Sequence, residues 1–145
     1  MKKILIMNGP NLNMLGFREK QHYGSDTLQS INDELREYAE SLGLEIDFFQ
    51  SNHEGELIDK IHTVRTEYDG CVLNAGAYTH YSYAILDAIY AAQKPFVEVH
   101  MSDIHKREPF RAVSVISPAC IGQICGLGKK SYFAGIDKLI EYKGE

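Results

Sequence analysis

Glu98 and His100 stand two residues apart in an otherwise apolar run, Phe96-Val97-Glu98-Val99-His100. In a strand that spacing places both side chains on one face. A carboxylate beside an imidazole fixes its tautomer and favours its protonated form, which suits a general acid. A pair that only satisfies itself is the alternative, although burying a charge inside a strand is costly without a reason. A second candidate pair is Arg18 and Tyr23, in a polar stretch with no helical or strand period. A tyrosine is a poor base unless its pKa, about 10 when unperturbed, is lowered. The Arg18 cation could lower it; without further context Tyr23 reads better as a surface ring resting on its own loop. Other chemistries fit poorly. The Gly122-to-Ser131 run has Gly-Lys-Lys-Ser where a phosphate-binding loop needs Gly-Lys-Ser/Thr, and reads as a cap for the last helix. Cys120 and Cys125 lack zinc-ligand spacing, and His105 lies in a charged loop away from His100.

The elements that must position these groups alternate almost strictly. Ile4-Leu5-Ile6-Met7 reads as a strand buried on both faces, breaking into Asn8-Gly9-Pro10-Asn11. After an N-cap at Ser25 or Asp26, Leu28, Ile31, Leu35, Tyr38, Ala39 and Leu42 keep helical spacing up to Gly43. Leu44–Phe49 is a second strand, Gly55–Tyr68 a second helix and Gly70–Leu73 a third strand. Tyr83–Gln93 is a third helix, Pro95–Val99 a fourth strand, Val113–Ser117 a fifth strand and Tyr132–Tyr142 a last helix. Short connections and βα alternation imply an α/β protein with a parallel sheet and helices on both faces. Five strands suit a flavodoxin-like doubly wound sheet, in a single domain spanning residues 1–145. Ligands bind such sheets beyond the carboxyl ends of the strands. There strand one offers Asn8 and Asn11, strand three Asn74 with Gly76 and His80, and strand four Glu98, His100 and Ser102.

Composition narrows the function classes. A net charge of −5 and a pI near 5.7 give no nucleic-acid footprint. No apolar window approaches the ~18 residues of a membrane span, and no leader precedes the first strand. Three cysteines are an odd number and read as buried thiols of a reducing compartment, which points to the cytoplasm.

Taken together, these residues resemble the type II 3-dehydroquinate dehydratases. The matching pieces are Asn8-Gly9-Pro10-Asn11-Leu12-Asn13 with Leu15-Gly16, then Arg18-Glu19 and Tyr23-Gly24. Asn74-Ala75-Gly76-Ala77-Tyr78-Thr79-His80 follows, with Ser82, Ala84 and Asp87, then Glu98-Val99-His100 and Ser102. Arg107-Glu108, Phe110-Arg111 and the Gly122-to-Gly128 run complete a match that spans nearly the whole chain. The resemblance implies a flavodoxin-like hydro-lyase that uses no cofactor or metal. Its reaction removes water from 3-dehydroquinate to give 3-dehydroshikimate through an enolate, a step of the shikimate pathway to aromatic amino acids. It implies that Tyr23 takes the proton beside the ketone, with Arg18 depressing its pKa, on a lid loop around residues 17–25. His100 then protonates the departing hydroxyl, oriented by Glu98, and Asn11 helps hold a water that stabilises the enolate. Asn74, His80, Arg111 and the Met101 and Ser102 backbone are implied to bind substrate. Asp87 is implied to reach a neighbouring subunit's site in a homododecamer built from trimers. No nucleic acid or membrane partner is implied.

Three residues depart from the resemblance. Lys20 stands where proline is frequent, and Met101 replaces an aliphatic residue whose role is through its backbone. Asp103 replaces a frequent Asn after Ser102, and a carboxylate there could repel the substrate's own. Two rival readings remain. A flavin or nucleotide binder would want a Ser/Thr/Gly phosphate loop where this chain has Gly9-Pro10-Asn11-Leu12-Asn13. A response-regulator module would want acidic residues after strand one, an Asp ending strand three and a Lys ending strand five. The chain offers Asn8, Asn74 and Ser117 at those places.

Overall fold

The computed structural model describes residues 1–17 and 25–144. Arg18, Lys20 and Tyr23, and with them most of the expected lid loop, lie outside the described residues. Five strands are present among the described residues: β1 (Lys3–Asn8), β2 (Glu45–Gln50), β3 (Gly70–Asn74), β4 (Phe96–His100) and β5 (Gly122–Cys125). The helices are α1 (Leu28–Ser41), α2 (Glu54–Glu67), α3 (Tyr83–Ala92) and α4 (Lys130–Glu141). Every adjacent strand pair is parallel and the sheet order is β2-β1-β3-β4-β5, the flavodoxin-like doubly wound arrangement. No helix among the described residues is long and apolar enough to cross a membrane.

The period of two in the strands divides the core between the two faces of the sheet. Ile4, Ile6, Val72, Val97 and Val99 pack with Ile31 and Leu35 of α1 and Tyr132, Ile136 and Leu139 of α4. Leu5, Met7, Cys71, Leu73 and Phe96 pack with Leu57 and Ile61 of α2 and Ile85 and Ile89 of α3. Because β1, β3 and β4 are covered on both sides, their polar residues collect at the carboxyl ends, where the layers stop. The order reverses between β1 and β3, so their ends open a crevice. Gly9 is needed there. Its N–H donates to Asn74 O at 2.8 Å, and a Cβ on it would sit 2.5 Å from Ala75 O. Any larger residue would push the two strand ends apart.

One expected strand is in the wrong place. Val113–Ser117 is not a strand: Val115 N–H donates to Thr79 O, Ile116 is buried, and a tight turn follows at Ser117–Ala119. Its Val-x-Val-Ile pattern imitates a half-buried strand, but Pro118 ends it before any ladder can form. The fifth strand is Gly122–Cys125, half-buried at the sheet edge and registered on Val97–His100. The glycine-rich run is thus a strand first and a helix cap only from Gly126 onward. The residue ending strand five becomes Cys125 instead of Ser117, and it too is not a lysine. The first helix is capped by Thr27 and not by Ser25 or Asp26. Thr27 and Ser30 cap each other's backbone, while Asp26 is 3.4 Å from Lys129 Nζ. The remaining elements lie within a residue or two of their expected bounds.

Candidate active site

Glu98 is fully buried, 0% exposed, and its side chain points to the α2/α3 side of β4 with Phe96. Its carboxylate accepts a hydrogen bond from His100 Nε2 at 2.5 Å and from Thr79 Oγ1 at 3.2 Å. Ser114 Oγ donates to it at 2.8 Å and Gln123 is a further side-chain donor. Burial alone would raise its pKa. The bonds and charge of His100, with those of Ser114 and Gln123, outweigh burial and hold the carboxyl below its ordinary value. With Nε2 committed to Glu98, Nδ1 is the ring nitrogen His100 can offer to the cavity. This is the arrangement in which a carboxylate fixes an imidazole tautomer.

That cavity lies beyond the carboxyl ends of β1, β3 and β4. Asn11, Asn74, His80, His100, Met101, Ser102 and Arg111 all line it, so seven of the expected site residues meet in one place. Each is held locally. Asn11 takes a left-handed backbone, φ 69°, and its N–H donates to Asn52 Oδ1 at 2.9 Å. Asn74 accepts the Gly76 N–H on Oδ1 at 3.1 Å and donates from Nδ2 to Tyr132. His80 donates from Nδ1 to Val113 O at 2.8 Å, which leaves Nε2 as the nitrogen facing other partners. Arg111 shares its Nε–H between the two oxygens of Glu108, at 3.1 and 3.2 Å.

Glu98 stands behind His100 and does not itself line the cavity. Asp87 does not line it either: it is exposed on α3, whose surface also carries Tyr83 and Tyr90. The second guanidinium of the cavity, Arg107, was part of the matched pattern but carried no expected role. Thr79, Ser114 and Gln123 were missed as partners of Glu98. Thr79 and Gln123 sit inside matched motifs, whereas Ser114 has no sequence signal, because only folding brings its segment against β4. The carboxylate of Asp103 is turned away from the concern raised above. It accepts the His105 N–H at 3.0 Å, caps the turn Ile104–Lys106 and is absent from the cavity lining. The cysteines are free among the described residues. Burial pushes the Cys120 thiol up to about 12 and the Cys125 thiol to about 11, so neither supplies a thiolate near neutral pH. His105 bonds Gln123 Oε1 at 3.2 Å.

The family model for class II dehydroquinases matches residues 2–140. The chain belongs to the class II dehydroquinase family. Among curated relatives, a 3-dehydroquinate dehydratase of Caldicellulosiruptor bescii is 56% identical over 142 residues, covering 97% of this chain and 98% of its own. Among solved structures, a type II dehydroquinase of Butyrivibrio crossotus superposes with a TM-score of 0.94 at 48% identity, covering 97% of this chain and 98% of the other. A type II dehydroquinase of Propionibacterium acnes gives a TM-score of 0.92 at 40% identity, covering 96% of each chain. The matched span, residues 2–140, includes every residue that lines the cavity.

Two outcomes follow from the geometry. A carboxyl held below its ordinary pKa in the fold, against about 4.3 when unfolded, adds stability above the unfolded value. That contribution is lost as pH falls through the lowered native value. Glu98→Gln should therefore unfold more easily than the parent at pH 7, by about 1–3 kcal/mol, with the gap narrowing below pH ~4. Urea denaturation at a series of pH values reads this, and a gap that stays constant would mean the carboxylate is not ionised in the fold. Asp103→Asn should leave KM within about twofold, since a carboxylate facing the substrate would cost more than that. A KM that falls markedly in that variant would show Asp103 facing the substrate.

Proposed function

We propose that this class II dehydroquinase removes water from 3-dehydroquinate to give 3-dehydroshikimate through an enolate. The observation that carries the reading is the cavity itself. Two amides, two imidazoles and two guanidiniums converge there, and one imidazole is backed by a buried carboxylate. An elimination of a β-hydroxyl from a ketone needs one base, one acid and a stabilised enolate.

Tyr23, as a phenolate whose pKa Arg18 lowers, takes the proton from the carbon next to the ketone. The C–H electron pair moves onto the carbonyl oxygen as an enolate, stabilised through a water held by Asn11. The pair then returns to form the carbon–carbon double bond as the β-carbon–oxygen bond breaks. His100 delivers its Nδ1 proton to the leaving hydroxyl, which departs as water, and Glu98 keeps the neutral ring in the Nε2–H form. Arg111 faces the substrate carboxylate, while Asn74, His80 and the Met101 and Ser102 backbone take its hydroxyls and carboxylate oxygens. The polar, cationic lining of the cavity supports these assignments.

The test is the rise of enone absorbance when 3-dehydroquinate is added in the presence of chelator. Wild type should turn over, and Tyr23→Phe should lose about 10²–10⁴-fold in kcat, the usual worth of a positioned general base. No absorbance from wild type would overturn the reading.

The chain assembles as a dodecamer built from trimers in this proposal, with Asp87 reaching the site of a neighbouring subunit. Exposed Tyr83 and Tyr90 on the same helix as Asp87 support a covered surface there. Light scattering should give the mass of twelve chains; a monomer would remove the role of Asp87.

A further inference from the structure

Asn8 ends β1 and Asn74 ends β3, and the two are register partners on adjacent parallel strands. Both are nearly fully buried, at 2% and 4% exposure. They share the parity of Ile4, Ile6 and Val72, so their amides turn toward the α1/α4 side of the sheet. The group that meets them comes from far along the chain. Tyr132, in the first turn of α4 and 0% exposed, places its hydroxyl between the two amides. It donates to Asn8 Oδ1 at 2.5 Å and accepts from Asn74 Nδ2 at 3.0 Å.

The close approach that allows this is set by Gly135, one turn later on the same helix face. A Cβ there would lie 3.0 Å from both Val72 Cγ1 and Val99 Cγ1. Without a side chain at Gly135, α4 settles onto β3 and β4, and the Tyr132 hydroxyl reaches the strand ends.

The consequence concerns Asn74. An asparagine amide can turn over, exchanging its acceptor and donor ends, and only its partners decide which way it faces. Here Oδ1 is fixed by the Gly76 N–H at 3.1 Å and Nδ2 by the Tyr132 oxygen. The Tyr132 oxygen can accept from Nδ2 because its own proton is spent on Asn8 Oδ1, a group that only accepts. The three side chains form one directed chain, Asn74 N–H to Tyr132 O–H to Asn8 C=O. It leaves the second Nδ2–H of Asn74 as what this residue offers to the cavity it lines.

We infer that Tyr132 is a positioning residue for substrate binding: its hydroxyl, oriented by Asn8, locks the Asn74 amide so that it meets the substrate as a donor to a carboxylate or hydroxyl oxygen. Tyr132 is fully buried, does not line the cavity and acts through Asn74. The inference rests on the dehydratase reading above for the identity of the substrate.

The experiment is a double-mutant cycle in steady-state kinetics with 3-dehydroquinate, using Tyr132→Phe, Asn74→Ala and the two combined. Tyr132→Phe should raise KM about tenfold, in line with misplacing one substrate hydrogen bond, and leave kcat within about twofold. In the Asn74→Ala background the same change should add nothing, because the group it positions is gone. A purely structural role would instead lower thermal stability without moving KM, or would multiply with Asn74→Ala. An unchanged KM in Tyr132→Phe, or effects that multiply, overturns the inference. Should Tyr132→Phe fold poorly, Asn8→Ala keeps the aromatic packing and removes only the acceptor that orients the hydroxyl. KM should then rise severalfold, and an unchanged value overturns the inference as well. Wild-type protein that does not turn over 3-dehydroquinate condemns the dehydratase reading, whereas normal wild-type turnover with an unmoved Tyr132→Phe condemns only this one.

Discussion

An ionised carboxylate with no exposed surface, in the middle of an apolar strand, is the constraint on which the rest of the site depends. Left alone, Glu98 would take up a proton or destabilise the sheet, since an unpaired buried charge costs several kcal/mol. It remains below its ordinary pKa because donors from four segments converge on it: Thr79 after β3, Ser114 in the stretch before β5, Gln123 in β5 and His100 at the end of β4. Those same bonds tie the loop over Val113–Ser117 and the edge strand to the centre of the sheet. The interaction that orients the His100 ring thus also fastens the elements that build the cavity wall.

The two faces of the sheet contribute differently to that cavity. On the α2/α3 face the polar residues form a carboxylate–imidazole pair, Glu98 with His100, joined by a direct hydrogen bond. On the α1/α4 face they form an uncharged chain, Asn74 through Tyr132 to Asn8, suited to fixing the direction of a donor. Strand parity keeps the two networks apart inside the core, and only at the carboxyl edge do His100 and Asn74 line the same space. Gly9 and Gly135 set the approaches that make this possible, one between strand ends and one between helix and sheet.

Much of the chemistry was legible because it sits at strand ends or in short motifs. The two-residue spacing of Glu98 and His100 put a carboxylate behind a cavity-lining imidazole, and the Asn-Gly-Pro-Asn break and the run from Asn74 to His80 supplied Asn11, Asn74 and His80 to the same cavity. Reading failed where local pattern and long-range pairing disagree. Val113–Ser117 has a strand-like alternation, yet its backbone pairs with Thr79 and its buried Ile116 joins the α2/α3 layer. The true fifth strand, Gly-Gln-Ile-Cys, is short and only half-buried, and carries almost no pattern of its own. Asp103 looked like a repulsive carboxylate in the site because its sequence neighbour Ser102 lines the cavity, but its side chain is occupied in capping a turn.

By itself the sequence determined the α/β layering, through alternating apolar runs and helical stripes, and it marked Glu98 and His100 as a carboxylate–imidazole pair and Asn11 and Asn74 as polar strand-end residues. These follow from side-chain type and from spacings of two to four residues, which the backbone geometry of strands and helices converts directly into shared faces. The tertiary structure alone decided which groups support them. Tyr132 meets Asn8 across 124 positions of chain, Gln123 reaches Glu98 once β5 has paired with β4, and Ser114 reaches it from the loop whose Val115 bonds Thr79. Such contacts are made by the closing of the sheet and the docking of α4, so no local pattern announces them. The orientation of Asn74 and the charge of Glu98 are properties of that closure.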